Sequence, residues 1–139
     1  MNWLGWAVLS AVFAAATAIL AKVGVTGIDS NVATAIRTSV VLLFAWIIVI
    51  ATGSGSGLAQ IQARSWVFLA LSGIATGLSW LCYFRALQLG PASKVAPIDK
   101  LSLVLVVIAA AIFLGERISV GTGIGVAMVF AGVLILATS

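Results

Sequence analysis

The stretch that decides the fold is "PASKVAPIDKLSLVLVVIAAAIFLG", Pro91 to Gly115. Its second half is an unbroken apolar run, and the whole stretch reaches the length of roughly 20 residues that a helix needs to cross a bilayer core. Its first half carries Lys94, Asp99 and Lys100, although only 7% of the chain is charged. Charged side chains are costly in lipid, so those inside a span usually face a cavity or a partner. The stretch therefore predicts a membrane-spanning helix with one polar side.

The remaining sequence has the same apolar character. Of the 139 residues 63% are hydrophobic, and the mean hydropathy is +1.31, whereas about a quarter of a soluble domain is charged. Helices are expected, because open strands would leave backbone groups unpaired in lipid and no barrel-like alternation is present. We predict an all-α, polytopic membrane protein, a bundle of five transmembrane helices in one domain over residues 1–139. The predicted spans are residues 3–21, 32–52, 66–89, 91–114 and 120–137, with a flexible, polar loop at residues 53–64.

The residue inventory excludes several classes of function. The net charge of +4 comes from seven basic and three acidic residues, which are too dispersed for a nucleic-acid-binding face. With no histidine and one cysteine, Cys82, neither the common zinc sites nor a histidine-activated nucleophile can be assembled. We therefore expect a protein that is not an enzyme, binds no nucleic acid, and uses no metal or other cofactor.

One side of the fourth predicted helix is polar over its first half, which fits a helix that lines a water-filled cavity. Pro97 should kink this helix over residues 94–98, because proline donates no backbone hydrogen bond and clashes with the preceding turn. The candidate path residues on this helix are Ser93, Pro97, Asp99, Lys100 and Ser102.

Basic and aromatic residues of the second and third predicted helices complete the candidate path. Adjacent residues of a helix point about 100° apart, so we expect Asp99 to pair with an arginine of another helix rather than with Lys100. Such a pair would either fix the helix packing or form a charged wall of a substrate path, and the aromatic residues would line a pocket or contact lipid or core. The excess of bases favours a substrate with a carboxylate or phosphate. These candidates are Arg37, Trp80, Tyr83 and Arg85.

Small residues recur at helix-packing spacing, as Gly73 and Gly77 and again as Gly121 and Gly125. Small residues let helix backbones approach closely in lipid. They either hold the helices of this chain together or pack the last helix against a second subunit.

The distribution of basic residues between the two sides of the membrane does not determine the orientation of the chain. The loops after the first and third spans have Lys22, Arg85 and Lys94 near them, and the opposite side has Arg64 and Arg117. Arg85 and Lys94 could also lie inside their helices, which would remove most of the bias that sets topology. The sequence therefore permits both orientations.

A family resemblance is carried by residues 83–119, "YFRALQLGPASKVAPIDKLSLVLVVIAAAIFLGERIS", and by "GTGIGVAMVFAGVLIL" at residues 121–136. This region resembles the second part of an EamA domain of the drug/metabolite transporter superfamily. Those domains share an aromatic-x-x-Ala-Leu motif, an Ala-Pro pair, a Leu-Ser turn, a Leu-Gly-Glu-Arg loop and a Gly-rich last helix. The matching positions are Tyr83, Ala86, Leu87, Gly90, Ala92, Ser93, Ala96, Pro97, Leu101, Ser102, Leu114, Gly115, Glu116 and Arg117.

The resemblance implies a transporter of small metabolites, with export as the expected direction, in the cell (plasma or inner) membrane. Most similar proteins carry two EamA domains, so one five-helix domain would be half of a ten-helix inverted-repeat transporter. An odd number of spans inverts successive units, so a lone unit would build the inverted pair as an antiparallel homodimer that works by alternating access. The alternatives are a partner of similar half size, a non-transporting scaffold or accessory subunit, and a flippase of a lipid-linked molecule.

Overall fold

A computed structural model describes residues 2–139. Within them, five helical spans are long and apolar enough to cross a membrane, so the predicted all-α polytopic fold is confirmed. The ends of the spans differ from the predicted ones by at most three residues. The helices are α1 (Trp3–Gly24), α2 (Ser30–Ala51), a 3-10 helix (Ser54–Gln60), α3 (Ala63–Leu89), α4 (Ala92–Asp99), α5 (Leu101–Phe113) and α6 (Val120–Thr138), and α4 with α5 forms one span.

The connection between α2 and α3 is more ordered than the predicted flexible loop. Gly53 adopts a left-handed conformation with φ of 67°, and the 3-10 helix Ser54–Gln60 follows it and packs against α2. The Thr52 and Ser54 hydroxyls are hydrogen-bonded at 2.8 Å, and Thr52 Oγ1 also donates to the carbonyl of Ile48 at 2.8 Å. The Thr52 hydroxyl thus satisfies a carbonyl at the end of α2 and links it to the first residue of a segment whose composition alone predicts a loose linker.

The chain forms two compact units, and the first, which we call the α2–α3 unit, is Leu20–Gln88. Its buried residues belong to the α1–α2 connection, the first turns of α2 and the last turns of α3. Phe84 is 3% exposed and Leu87 is 0% exposed, so the core lies where α2 begins and α3 ends. The core residues are Val25, Ser30, Ala33, Thr34, Phe84 and Leu87.

The second unit, which we call the α4–α6 unit, comprises the chain up to Ile19 and Leu89–Ser139. In it α6 packs against both α4 and α5. The chain reverses at Gly115, whose φ of 66° places it in the left-handed region, and Ser119 caps α6 by accepting a hydrogen bond from the Thr122 N–H at 3.1 Å. Glycine after α5 and serine before α6 are the residues that helix ends favour.

The fourth span is interrupted at Lys100, just after the residues 94–98 where the kink is predicted. The Lys100 N–H donates to the Pro97 carbonyl at 2.9 Å and the Leu103 N–H donates to the Lys100 carbonyl at 3.0 Å, each three residues back instead of four. The Asp99 carbonyl, which a continuous helix would offer to Leu103, accepts from the Ser102 hydroxyl at 2.9 Å instead. The break lies after the proline because Ser102 satisfies the carbonyl that the tightened turn releases.

Two glycines, one at the end of α1 and one in the turn between α1 and α2, allow a matched test of this turn. Gly27 has a φ of 80°, Gly24 has no positive φ, and a Cβ at either position would meet no atom within 4 Å. We expect Gly27→Ala to lower the free energy of unfolding by about 1 kcal/mol through backbone strain. Gly24→Ala should be neutral or stabilising by up to about 1 kcal/mol. Unfolding in mixed detergent micelles measures both, and equal effects would contradict the assigned turn.

Candidate functional site

Arg37 is the charged residue most deeply set in the α2–α3 unit. It lies seven residues into α2, which at 1.5 Å per residue is about 10 Å from the start of the helix. Its guanidinium carbon lies 4.1 Å from the centre of the Trp80 ring and 5.5 Å from that of Phe84. Trp80 and Phe84 are four residues apart on α3, so both rings lie on the helix face that meets Arg37. We call these three residues the Arg37 frame.

A set of polar contacts ties the end of α3 to the α1–α2 connection. The Lys22 ammonium donates to the carbonyl of Leu87, and the Gln88 amide donates to the carbonyl of Ile28 at 2.6 Å. The side-chain oxygen of Gln88 accepts from Arg85 Nη1 at 3.0 Å. Gln88 therefore positions Arg85 while it satisfies a carbonyl in the turn before α2.

A cavity opens beside this junction, and we call it the interfacial cavity. Its volume is about 510 Å³, and it opens to the surface where α2 begins and α3 ends. Asp29 caps α2 at its rim, because one carboxylate oxygen accepts from the N–H groups of Asn31 at 2.8 Å and Val32 at 3.3 Å. Because the Asp29 carboxylate is used as a helix cap, the exposed Arg85 is the charged lining residue that is available to a ligand in the cavity. The lining residues are Asp29, Ser30, Asn31, Leu81, Cys82 and Arg85.

The expectation that Asp99 does not pair with Lys100 is wrong. Lys100 Nζ lies 3.4 Å from Asp99 Oδ2, with 57% of the lysine and 36% of the aspartate side chain exposed. Regular helical geometry does not apply here because the helix is interrupted at Lys100, and a lysine side chain is long enough to fold back onto its neighbour. Exposed ion pairs of this kind contribute about 0–1 kcal/mol.

The predicted path residues fall into two groups. Arg37, Trp80, Tyr83 and Arg85 belong to the α2–α3 unit, where Tyr83 lies within electrostatic range of Arg37. The group of the α4–α6 unit follows α4 into the first turn of α5, with Ser93 exposed and Pro97 half-buried. Its members are Ser93, Pro97, Asp99, Lys100 and Ser102.

Sequence reasoning missed one residue of the site, Gln88. It carried no signal in the sequence, because its acceptor is a backbone carbonyl 60 residues away in the chain.

The family follows from comparison with known proteins. A model of the EamA-like transporter family matches residues 1–138. The chain belongs to this family. It is 55% identical over 136 residues to an "Uncharacterized transporter in cobO 3'region" of Sinorhizobium sp, a match that covers 98% of this chain and 96% of that protein.

A more distant relative, from Yersinia pestis (strain Pestoides F), is named "Probable 4-amino-4-deoxy-L-arabinose-phosphoundecaprenol flippase subunit ArnE". It is 35% identical over 69 residues, which is 50% of this chain and 60% of the relative. No solved structure matches the chain significantly. Together with its five apolar spans, the family makes this chain a multi-pass membrane protein with a general role in transport.

The single cysteine of the chain allows a direct test of the interfacial cavity. Cys82 is exposed and lines it, and thiols react as thiolates, which require water. We expect a charged maleimide to label Cys82 in proteoliposomes within about tenfold of the rate in denatured protein.

The matched control is Leu78→Cys in a Cys82→Ser background, because Leu78 lies one turn before Cys82 on α3 and outside the cavity lining. Its labelling should be much slower. Equally slow labelling at both positions would mean that lipid fills the cavity.

Proposed function

We propose that this protein moves a small metabolite across the cell membrane by alternating access, as an antiparallel homodimer of five-helix subunits. The match to the Sinorhizobium transporter over 96% of that protein's length supports a working subunit of this size. Transporters of this general design place the substrate site near the bilayer midplane, between inverted repeats. Export stays the predicted direction.

The observation that carries the dimer is an open glycine face on α6. A Cβ on Gly125 or Gly132 would meet no atom within 4 Å in the α4–α6 unit, although α6 packs there against α4 and α5. The two glycines are seven residues apart, so they share one helix face, and they lie nearly symmetrically about the centre of Val120–Thr138. Glycines at open positions are suited to close approach by another helix. An open face of this kind is available for the second of the two sequence interpretations, packing against a second subunit.

Each group of path residues has a part in this proposal. The Arg37 frame, Tyr83 and Arg85 supply charge and apolar walls, and the hydroxyls of Ser93 and Ser102 supply hydrogen-bonding groups. The turn of three-residue hydrogen bonds at Lys100, one helical turn after Pro97, is a position where α4 and α5 can change their angle. Discontinuous helices of this kind line the sites of many transporters.

The symmetric placement of Gly125 and Gly132 makes the orientation of the two subunits measurable. In an antiparallel α6 pair Gly125 of one subunit faces Gly132 of the other, whereas in a parallel pair each glycine faces its own copy. We expect differently tagged Gly125→Cys and Gly132→Cys variants, both in a Cys82→Ser background, to form a mixed disulfide when they are coexpressed. Disulfides formed only between identical variants would indicate a parallel dimer, and the absence of any disulfide would remove α6 from the interface.

Transport itself can be tested on a mixture of solutes. Proteoliposomes loaded with a metabolite extract of the producing cells should lose specific compounds, identified by mass spectrometry. We expect Asp99→Asn to abolish this loss while the mixed disulfide still forms, because the exposed pair contributes only about 0–1 kcal/mol to stability. Unchanged release would exclude Asp99 from the mechanism, and loss of the disulfide would make it structural.

Flipping of a lipid-linked molecule is a second candidate, favoured by the name of the Yersinia relative. That relative is called a subunit, so it also favours a partner of a different sequence. Movement of a lipid-linked compound between leaflets, in liposomes that release no soluble compound, would support this candidate.

A further inference from the structure

Arg37 has an unusual set of neighbours for a cation within a membrane span. A charge at this depth in lipid is costly unless it is compensated. The rings of Trp80 and Phe84 provide cation–π contacts, which stabilise the charge in part. Aromatic faces attract the charge of a guanidinium, but they leave its five N–H groups without oxygen acceptors.

Within the α2–α3 unit, no oxygen accepts a hydrogen bond from Arg37, and no carboxylate forms an ion pair with it. Asp29 is the acid of the α2–α3 unit by sequence, and its carboxylate caps the start of α2 about 10 Å away along the helix. In the other unit Asp99 contacts Lys100. The α2–α3 unit thus supplies a positioned guanidinium and assigns it no anion.

We propose that Arg37, held by Trp80 and Phe84, binds the oxyanion of the transported molecule, a carboxylate or a phosphate. A guanidinium presents its N–H groups as a planar fork that matches two oxygens of either group. The ring faces position the fork and offer apolar surface to the rest of the ligand. This inference rests on the proposed transport function and names its substrate class.

The interfacial cavity opens near the Arg37 frame, at the end of the same pair of helices. Its lining includes Arg85 but none of the three residues of the frame. The exposed Arg85 could attract an anion to the cavity, from which the anion would have to move on to reach Arg37.

The test measures binding with three probes of equal chain length, n-butyrate, n-butyl phosphate and n-butylammonium. Trp80 should report binding by a change in fluorescence, and the shift in thermal unfolding of the same sample gives a second, independent signal. We expect both anions, and not the cation, to give saturable responses at constant ionic strength. In Arg37→Gln the half-saturating concentration should rise at least tenfold, and in Arg37→Lys, which keeps the charge without the fork, several-fold.

Arg64 provides the matched control. It also lies over an aromatic ring, 5.7 Å from the centre of Phe68, but it is exposed at the start of α3. Arg64→Gln should leave the responses unchanged. Equal responses to all three probes, or an anion response that Arg37→Gln and Arg37→Lys both retain, would overturn the assignment. A response that appears only in Asp99→Asn would also overturn it, since a carboxylate of the protein would then be the natural partner of Arg37.

Two further comparisons complete the test. One identifies the source of the oxyanion, and the other distinguishes failure of the Arg37 site from failure of the proposed dimer. In nanodiscs, competition of phosphatidylglycerol with n-butyl phosphate would identify a lipid phosphate as the ligand, and no competition would identify a soluble anion. The binding assay does not depend on the α6 disulfide. Failure of anion binding in a protein that forms the mixed disulfide would reject only the Arg37 site, and anion binding without that disulfide would reject only the antiparallel pairing of α6.

Discussion

The cost of an unsatisfied polar group in hydrocarbon is the constraint on which the rest of this structure depends. Within each span the backbone pairs with itself, and hydroxyl side chains follow the same rule. Thr34, Thr38 and Thr76 each donate to the carbonyl four residues earlier, at 2.8, 2.7 and 2.8 Å. These hydroxyls are satisfied by their own helices and leave no polar link to a neighbour. Polar contacts between distant parts of the chain are consequently found near helix ends, as in the pairs Lys22 with Leu87 and Gln88 with Ile28.

The same constraint explains which features could be predicted from sequence. Span length is a local property, because about 20 apolar residues must be continuous in the chain, and the predicted and observed ends accordingly agree within three residues. The position of the break in the fourth span depends on the Ser102 hydroxyl and the Asp99 carbonyl, and a rule for proline alone does not give it. The expectation that Asp99 and Lys100 do not pair was wrong for the same reason, since their geometry follows from the break at Lys100.

Residues of the candidate site could be predicted from the sequence, but the contacts between them could not. Composition singles out Arg37 and Trp80, because a charge and a large ring are conspicuous inside apolar segments. Their contact at 4.1 Å depends on the relative rotation of α2 and α3, which no pattern within either helix determines. Gln88 is the clearest case, since a glutamine near a helix end has many possible acceptors and the structure selects the Ile28 carbonyl.

Arg37 and Arg64 make the same kind of contact, a guanidinium over an aromatic ring, but the energetic consequence of that contact depends on where the residue lies. Both guanidinium groups lie over aromatic rings, at 4.1 and 5.7 Å from the nearest ring centre. Arg64 is exposed at the start of α3, so water can satisfy its N–H groups and the contact with Phe68 adds little. Arg37 is half-buried within α2, where its N–H groups need an acceptor and cation–π contacts alone do not compensate its charge. A cation that the fold positions but does not neutralise is stabilised when an anion arrives, and a site with that property suits a transporter that must bind its substrate and then release it.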